Sequence, residues 1–88
     1  FTRVEPGRSA RVEHRASGLA VDLEATADFS HLVLYTPRGE RFFCLENQTC
    51  STDAHNLHAR GFVEASGLKT VAPGAVRRGS VTYAIGPC

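Results

Sequence analysis

Leu19-Ala-Val-Asp-Leu-Glu-Ala-Thr26 is the stretch on which the fold turns. Leu19, Val21, Leu23 and Ala25 alternate with Ala20, Asp22, Glu24 and Thr26, and an apolar period of two over eight residues predicts a strand with one buried and one wet face. Upstream, Ala10-Arg-Val-Glu-His14 alternates more weakly and runs into Ala16-Ser17-Gly18, a turn cluster, so the two segments are expected to form a hairpin. Downstream, Phe29-Ser-His-Leu-Val-Leu-Tyr-Thr36 is richer in apolar residues and stops at Pro37, as suits a strand covered on both faces. Pro37-Arg-Gly-Glu40 reads as a turn, and Arg41-Phe-Phe-Cys-Leu-Glu46 as the next strand, which places Glu46 at a strand end.

Residues 47–60 carry no apolar period and are dense in Asn, Thr, Ser, Asp and His, which predicts a long loop of the kind that often serves function. Leu68-Lys-Thr-Val71 then meets a Pro73-Gly74 turn, and Ala75 to Ile85 closes the chain with Val81, Tyr83 and Ile85 in alternation. No segment holds three turns of helical apolar spacing. The expectation is a single all-β domain over residues 1–88, an antiparallel β-sandwich of six or seven strands with minimal helix.

Composition narrows the function. With 42% hydrophobic and 22% charged residues the 88-residue chain has globular proportions, and a net charge of +1 with scattered basic residues argues against a nucleic-acid face. No apolar run reaches the length of a membrane helix, and no charged-then-apolar signal pattern is seen. Three cysteines, Cys44, Cys50 and Cys88, do not complete a disulfide framework; the odd count favours reduced thiols and a cytoplasmic setting, with a Cys44–Cys50 loop disulfide as the alternative. The Cys44 and Cys50 spacing, even with His55 and His58, does not make a zinc set, so no metal is expected.

The chemistry-bearing stretch is Phe42-Phe-Cys-Leu-Glu-Asn-Gln-Thr-Cys-Ser-Thr-Asp-Ala-His-Asn56. A carboxylate delivered among Phe42, Phe43 and Leu45 would lose hydration and become a stronger base; the plainer alternative is an ion pair with Arg41 or Arg60. Gln48 and Asn56 have amides that both donate and accept, as sugar hydroxyls require, while Asp53 also suits a turn-stabilising role. Of the histidines, His31 reads as a core or strand-surface residue and His58 as a solvated one; His55, in the polar loop that follows Glu46, is the histidine candidate for the site. Asn47-Gln-Thr49 matches a glycosylation sequon, which a cytosolic chain would not use.

Leu32-Val-Leu-Tyr-Thr-Pro37, Phe43-Cys-Leu-Glu46, Asp53-Ala-His-Asn56 and Val71-Ala-Pro-Gly74, in that order, resemble the C-terminal part of the aldose 1-epimerase (galactose mutarotase-like) family. The resemblance runs from about Leu19 to Ile85. Asn47 and Thr52 stand where many members have proline. The resemblance implies a β-supersandwich of which this chain is the last third, and interconversion of the α and β anomers of an aldose such as glucose or galactose without metal or organic cofactor. It further implies Glu46 as general base and a general-acid histidine located upstream of the matching region; Gln48, Asp53, His55 and Asn56 are the residues of the polar stretch that would hold the loop or the sugar. A homo-oligomer, or association with a chain supplying the rest of the fold, would cover the open strand edges. A non-catalytic carbohydrate-binding β-sandwich is the alternative from a different class.

Overall fold

A computed structural model describes Phe1, Val4, Glu5 and residues 7–88, with the side chain of Arg8 left aside. The chain is mostly β and antiparallel throughout. Among the described residues, five strands form two sheets: β1 (Gly7–His14), β2 (Leu19–Ala25) and β5 (Val81–Pro87) in the order β1-β2-β5, and β3 (His31–Tyr35) with β4 (Cys44–Gln48). Two short helices, α1 (Ala54–Ala59) and α2 (Val63–Ser66), lie between β4 and β5.

The expected hairpin is formed. Its turn closes with Ser17 N and Gly18 N donating to the carbonyls of His14 and Arg15, and Gly18 takes φ +70°, which a residue without Cβ adopts at little cost. Because directly opposed residues share a face, the register places Val21 between Val12 and Ile85, and Leu23 between Ala10 and Tyr83. This is the apolar face anticipated from the alternation, but it is covered only toward one end: Leu23 and Ala25 are buried, Val21 is half-buried and Leu19 remains 48% exposed. Ala20, on the face expected to be wet, is buried. In the register Ala20 stands between Glu13 on β1 and Gly86 on β5.

In the second sheet, Tyr35 opposes Cys44, Val33 opposes Glu46 and His31 opposes Gln48. Phe1 and Val4 run along the other side of β3: Phe1 N donates to the Leu32 carbonyl, Leu32 N to Phe1 O, and Val4 N to Ser30 O. The chain therefore starts beside β3 before it enters β1 in the other sheet. A side-chain link repeats that connection, since Asn47 Nδ2 on β4 donates to Ser9 Oγ on β1 at 2.8 Å and Ser9 Oγ donates to the Leu23 carbonyl.

Several expectations are corrected. Five strands form among the described residues, not six or seven. β3 is not covered on both faces, because only His31 and Leu32 are buried while Leu34 and Tyr35 are more than half exposed. β4 begins at Cys44, opposite the end of β3, so Arg41, Phe42 and Phe43 belong to the connecting loop and Glu46 lies in mid-strand. The supposed long loop contains α1. There, Ala54 and Leu57, three apart, turn one short apolar edge inward, a face too brief to register as a period. β5 starts at Val81 instead of Ala75 because Arg77, Gly79 and Ser80 are held by the Thr26–Phe29 turn. Gly79 lies so close to Phe29 that a Cβ there would come within 2.6 Å of the ring.

The hydrophobic interior is thin. Ala20, Leu23, Ala25, Leu32 and Ala54 are the buried apolar residues among those described. The chain exposes 6747 Å², about 1700 Å² more than the roughly 5000 Å² expected of a compact monomer of this mass. Its radius of gyration of 15.4 Å likewise exceeds the ~12 Å expected for this length.

Candidate functional site

Period two along β4 sends Cys44, Glu46 and Gln48 to one face and Leu45 and Asn47 to the other. Asn47 is turned toward Ser9, so the Glu46 face is the one directed away from that link, and Glu46 itself is exposed. Gln48 Nε2 donates to Glu46 Oε2 at 3.0 Å. A carboxylate and an amide thus stand side by side on a β-strand, with Tyr35, 56% exposed, on the same face of β3. Such a group accepts a proton through its free carboxylate oxygen while the amide carbonyl and remaining N–H bond hydroxyls.

The expected desolvation of Glu46 does not occur here. Phe42 and Phe43 precede β4 and are themselves exposed, so they place no apolar cover on the carboxylate. The alternative ion pair is also not formed: among the described residues no salt bridge joins Glu46 to Arg41 or Arg60.

Asp53 and Asn56 form a second, separate pair. Asn56 Nδ2 donates to Asp53 Oδ1 at 2.7 Å, and Asp53 starts α1 from the left-handed region, at φ +62°. This is a local, turn-stabilising role for Asp53. His55 and His58 are exposed on α1, and among the described residues no hydrogen bond connects either the Asp53–Asn56 pair or a histidine to Glu46. The sequence candidates are therefore brought together two by two, as Glu46 with Gln48 and Asp53 with Asn56.

His31 is the anchor of the region. It is 5% exposed; its Nε2 donates to the Ala65 carbonyl at 3.0 Å, and Nδ1 accepts from Ser30 Oγ at 2.8 Å. A carbonyl only accepts, so the bond to Ala65 fixes the tautomer with hydrogen on Nε2. The core reading of His31 holds: Nε2 joins β3 to α2, while Nδ1 is satisfied by the neighbouring Ser30. Ser66, fully buried, completes the junction by donating from Oγ to Val63 O and accepting from Leu68 N, while its carbonyl accepts from Ser51 N. The sequence reading did not single out Ser66; a serine just before Gly67 was its only signal.

The described residues line two surface hollows that bear on the site. One of about 620 Å³ is lined by Ser30, His31 and Gly61–Ala65. The other, about 230 Å³, is lined by Asp28, Phe29, Thr49, Lys69, Val71 and Arg77–Gly79. In the second, Arg77 Nη2 donates to Asp28 Oδ1 at 2.8 Å, and this hydrogen bond holds the Asp28 carboxyl below its usual range. Lys69 Nζ is committed to the carbonyls of Thr49 and Gly67. Glu46 lines neither hollow, so the carboxylate is displayed on an open surface.

Among the described residues no three His, Cys, Asp or Glu side chains gather as a metal-binding group. No helix there is long and apolar enough to cross a membrane. Cys44 and Cys50 are half-buried, Cys88 is exposed, and all three thiols are free. No protein-family model, curated protein or solved structure matches the chain.

Proposed function

We propose that the chain carries the general-base portion of an aldose 1-epimerase-type site that interconverts the α and β anomers of an aldose. The observation that supports this reading is the Glu46 carboxylate, exposed in the middle of β4 with the Gln48 amide hydrogen-bonded to it. In this reading Glu46 removes the proton of the anomeric hydroxyl as a general acid protonates the ring oxygen and the C1–O bond to that oxygen breaks. The aldehyde carbon rotates, and the same groups act in reverse as the ring closes on its other face. Neither electrons nor a group are exchanged with the protein, so one proton acceptor and one donor suffice.

Gln48 orients the carboxylate, and Asp53, His55 and Asn56 hold the sugar from α1. In this reading the acid is supplied from outside this segment, as the resemblance implies; within it His31 is buried with both nitrogens engaged and His14 is tied into the first hairpin through Ser17. The two sheets are then parts of the layers of a larger β-supersandwich, and a second chain or chain segment completes it. Free thiols suit a cytoplasmic setting.

The alternative, a non-catalytic carbohydrate-binding module, is favoured by the exposure of Tyr35 on the face shared by Glu46 and Gln48, since an aromatic ring and two polar groups can hold a sugar without proton transfer. Relaxation of freshly dissolved α-D-glucose and α-D-galactose, followed by polarimetry, separates the readings. Acceleration over a buffer blank that is lost in Glu46→Gln supports epimerisation. Sugar-induced NMR shifts of Tyr35 without acceleration support binding alone, and neither effect in a folded sample overturns both.

A further inference from the structure

We propose that β5 is a dimerisation edge, at which a second copy of the chain adds its own β5 antiparallel across a two-fold axis and turns the β1-β2-β5 sheet into one of six strands. The inference is independent of the epimerase reading.

Strands β1 and β5 are the two edges of this sheet, and they differ in the features that discourage strand addition. β1 carries Arg11, Glu13 and His14, is laced by ion pairs from Arg11 to Glu13 and Asp22, and has its register broken between Arg8 and Ala10. Charges and a bulge blunt an edge. β5 reads Val-Thr-Tyr-Ala-Ile-Gly-Pro, seven residues with no charge, and its register with β2 is unbroken. Its one protective residue, Pro87, stands at the very end. Tyr83 and Ile85 are 60% and 71% exposed, so an uncharged edge is joined to an uncovered apolar face.

Self-pairing suits this strand. Centred on Ala84, a two-fold places Tyr83 opposite the second copy's Ile85 on the apolar face, an aromatic against a β-branched side chain, which is a favourable cross-strand pair. Val81 meets the second copy's Pro87, and Ala84 meets its own equivalent with nothing larger than a methyl between the strands. No like charges oppose each other at any position. The chain as a whole exposes about 1700 Å² more than a compact monomer of its mass, and a standard interface takes ~800 Å² from each partner. A two-fold closes after one addition, because β1 is the other edge and is guarded.

The test exploits the central pair. Ala84 is exposed and faces Asp22 across β2, so Ala84→Lys is tolerated within one copy but sets two ammonium groups directly opposite in the dimer. Sedimentation equilibrium of the full chain over a hundredfold concentration range is expected to give a wild-type mass approaching twice 9.5 kDa. Ala84→Lys and Ala84→Glu should each raise the dissociation constant by about fivefold or more, and an equimolar mixture of the two should recover association. Far-UV circular dichroism on each variant confirms that the monomer is folded. A folded wild type that stays monomeric overturns the proposal, as do an open-ended assembly, a dimer unaffected by either charge, or a mixture that associates no better than its components.

Discussion

Gly67 and His31 occupy one small space, and substituting them singly and together tests whether that junction is packed as described. Gly67 follows α2 at φ +63°, and a Cβ built there would lie 2.6 Å from His31 Cε1 and 3.2 Å from both His31 Nδ1 and the Thr49 carbonyl oxygen. Gly67→Ala therefore adds a left-handed conformation costing about 1–2 kcal/mol to an overpacking cost of about 1–3 kcal/mol. His31→Ala removes a buried ring and leaves the Ala65 carbonyl without its donor, at about 2–4 kcal/mol. In the double variant the ring is gone, so the added methyl enters vacated space; the left-handed cost and the Thr49 contact remain. The double variant should therefore be less destabilised than the sum of the singles by about 1–3 kcal/mol. Urea unfolding followed by far-UV circular dichroism measures all four proteins, with equal m-values required for the comparison. Additivity within about 0.5 kcal/mol, or a Gly67→Ala protein as stable as wild type, would refute the packing argument at this junction.

Asp28 gives a dependence on acidity: Arg77 lowers its folded-state pKa, so the associated stability is present above the ordinary aspartate range and is lost as pH falls through the folded value, below about 4. Asp28→Asn should flatten the wild-type loss of stability in that acid window, and an unchanged slope in unfolding titrations would count against the pair. At Asp53, where φ is +62°, glycine should be better tolerated than alanine by about 1 kcal/mol, since both lose the bond from Asn56 but alanine alone keeps the steric cost. Thiol titration of the native chain should find one fast-reacting group, Cys88, and two slower ones, Cys44 and Cys50; a count that rises after reduction would reveal a disulfide.

What was legible in the sequence was what depends on neighbours along the chain. The alternation in β2, the Ala16–Gly18 turn and the apolar spacing of Val81, Tyr83 and Ile85 locate the three strands of one sheet, and the Ala72 carbonyl accepts from Ala75 N around the expected Pro73–Gly74 turn. What was not legible depends on what lies above or beside an element. Phe42 and Phe43 look like strand residues, yet β3 ends opposite Cys44 and offers them no partner. α1 is six residues long, so its existence rests on Asp53 entering in the left-handed region and on Ala54 being covered, neither of which leaves a period. For the candidate site, the two-residue spacing of Glu46 and Gln48 already implies a shared face once both lie on a strand. That face is covered by α2 at the His31 end and open at Glu46 and Tyr35, which depends on what packs above it, and side-chain identity on β4 carries no mark of that.

That exposure decides what a catalytic result on this chain would mean. A carboxylate open to water is also present in any acetate buffer, and buffer carboxylates assist ring opening in proportion to their concentration. Glu46, acting in that manner alone, would accelerate mutarotation in strict proportion to sugar concentration, with no saturation and little preference between glucose and galactose. A site gains from holding the sugar against the base and from supplying the acid at a fixed place, which converts an encounter into a bound reaction and produces saturation. Initial rates measured against sugar concentration, with free glutamate at equal carboxylate concentration as the reference, therefore separate the two. A saturating, sugar-selective rate lost in both Glu46→Gln and Gln48→Ala means that the face of β3 and β4 works as a site, with Gln48 placing the carboxylate. A linear rate no greater than that of free glutamate would reduce Glu46 to an exposed acid on a β-strand, whatever the order of motifs around it.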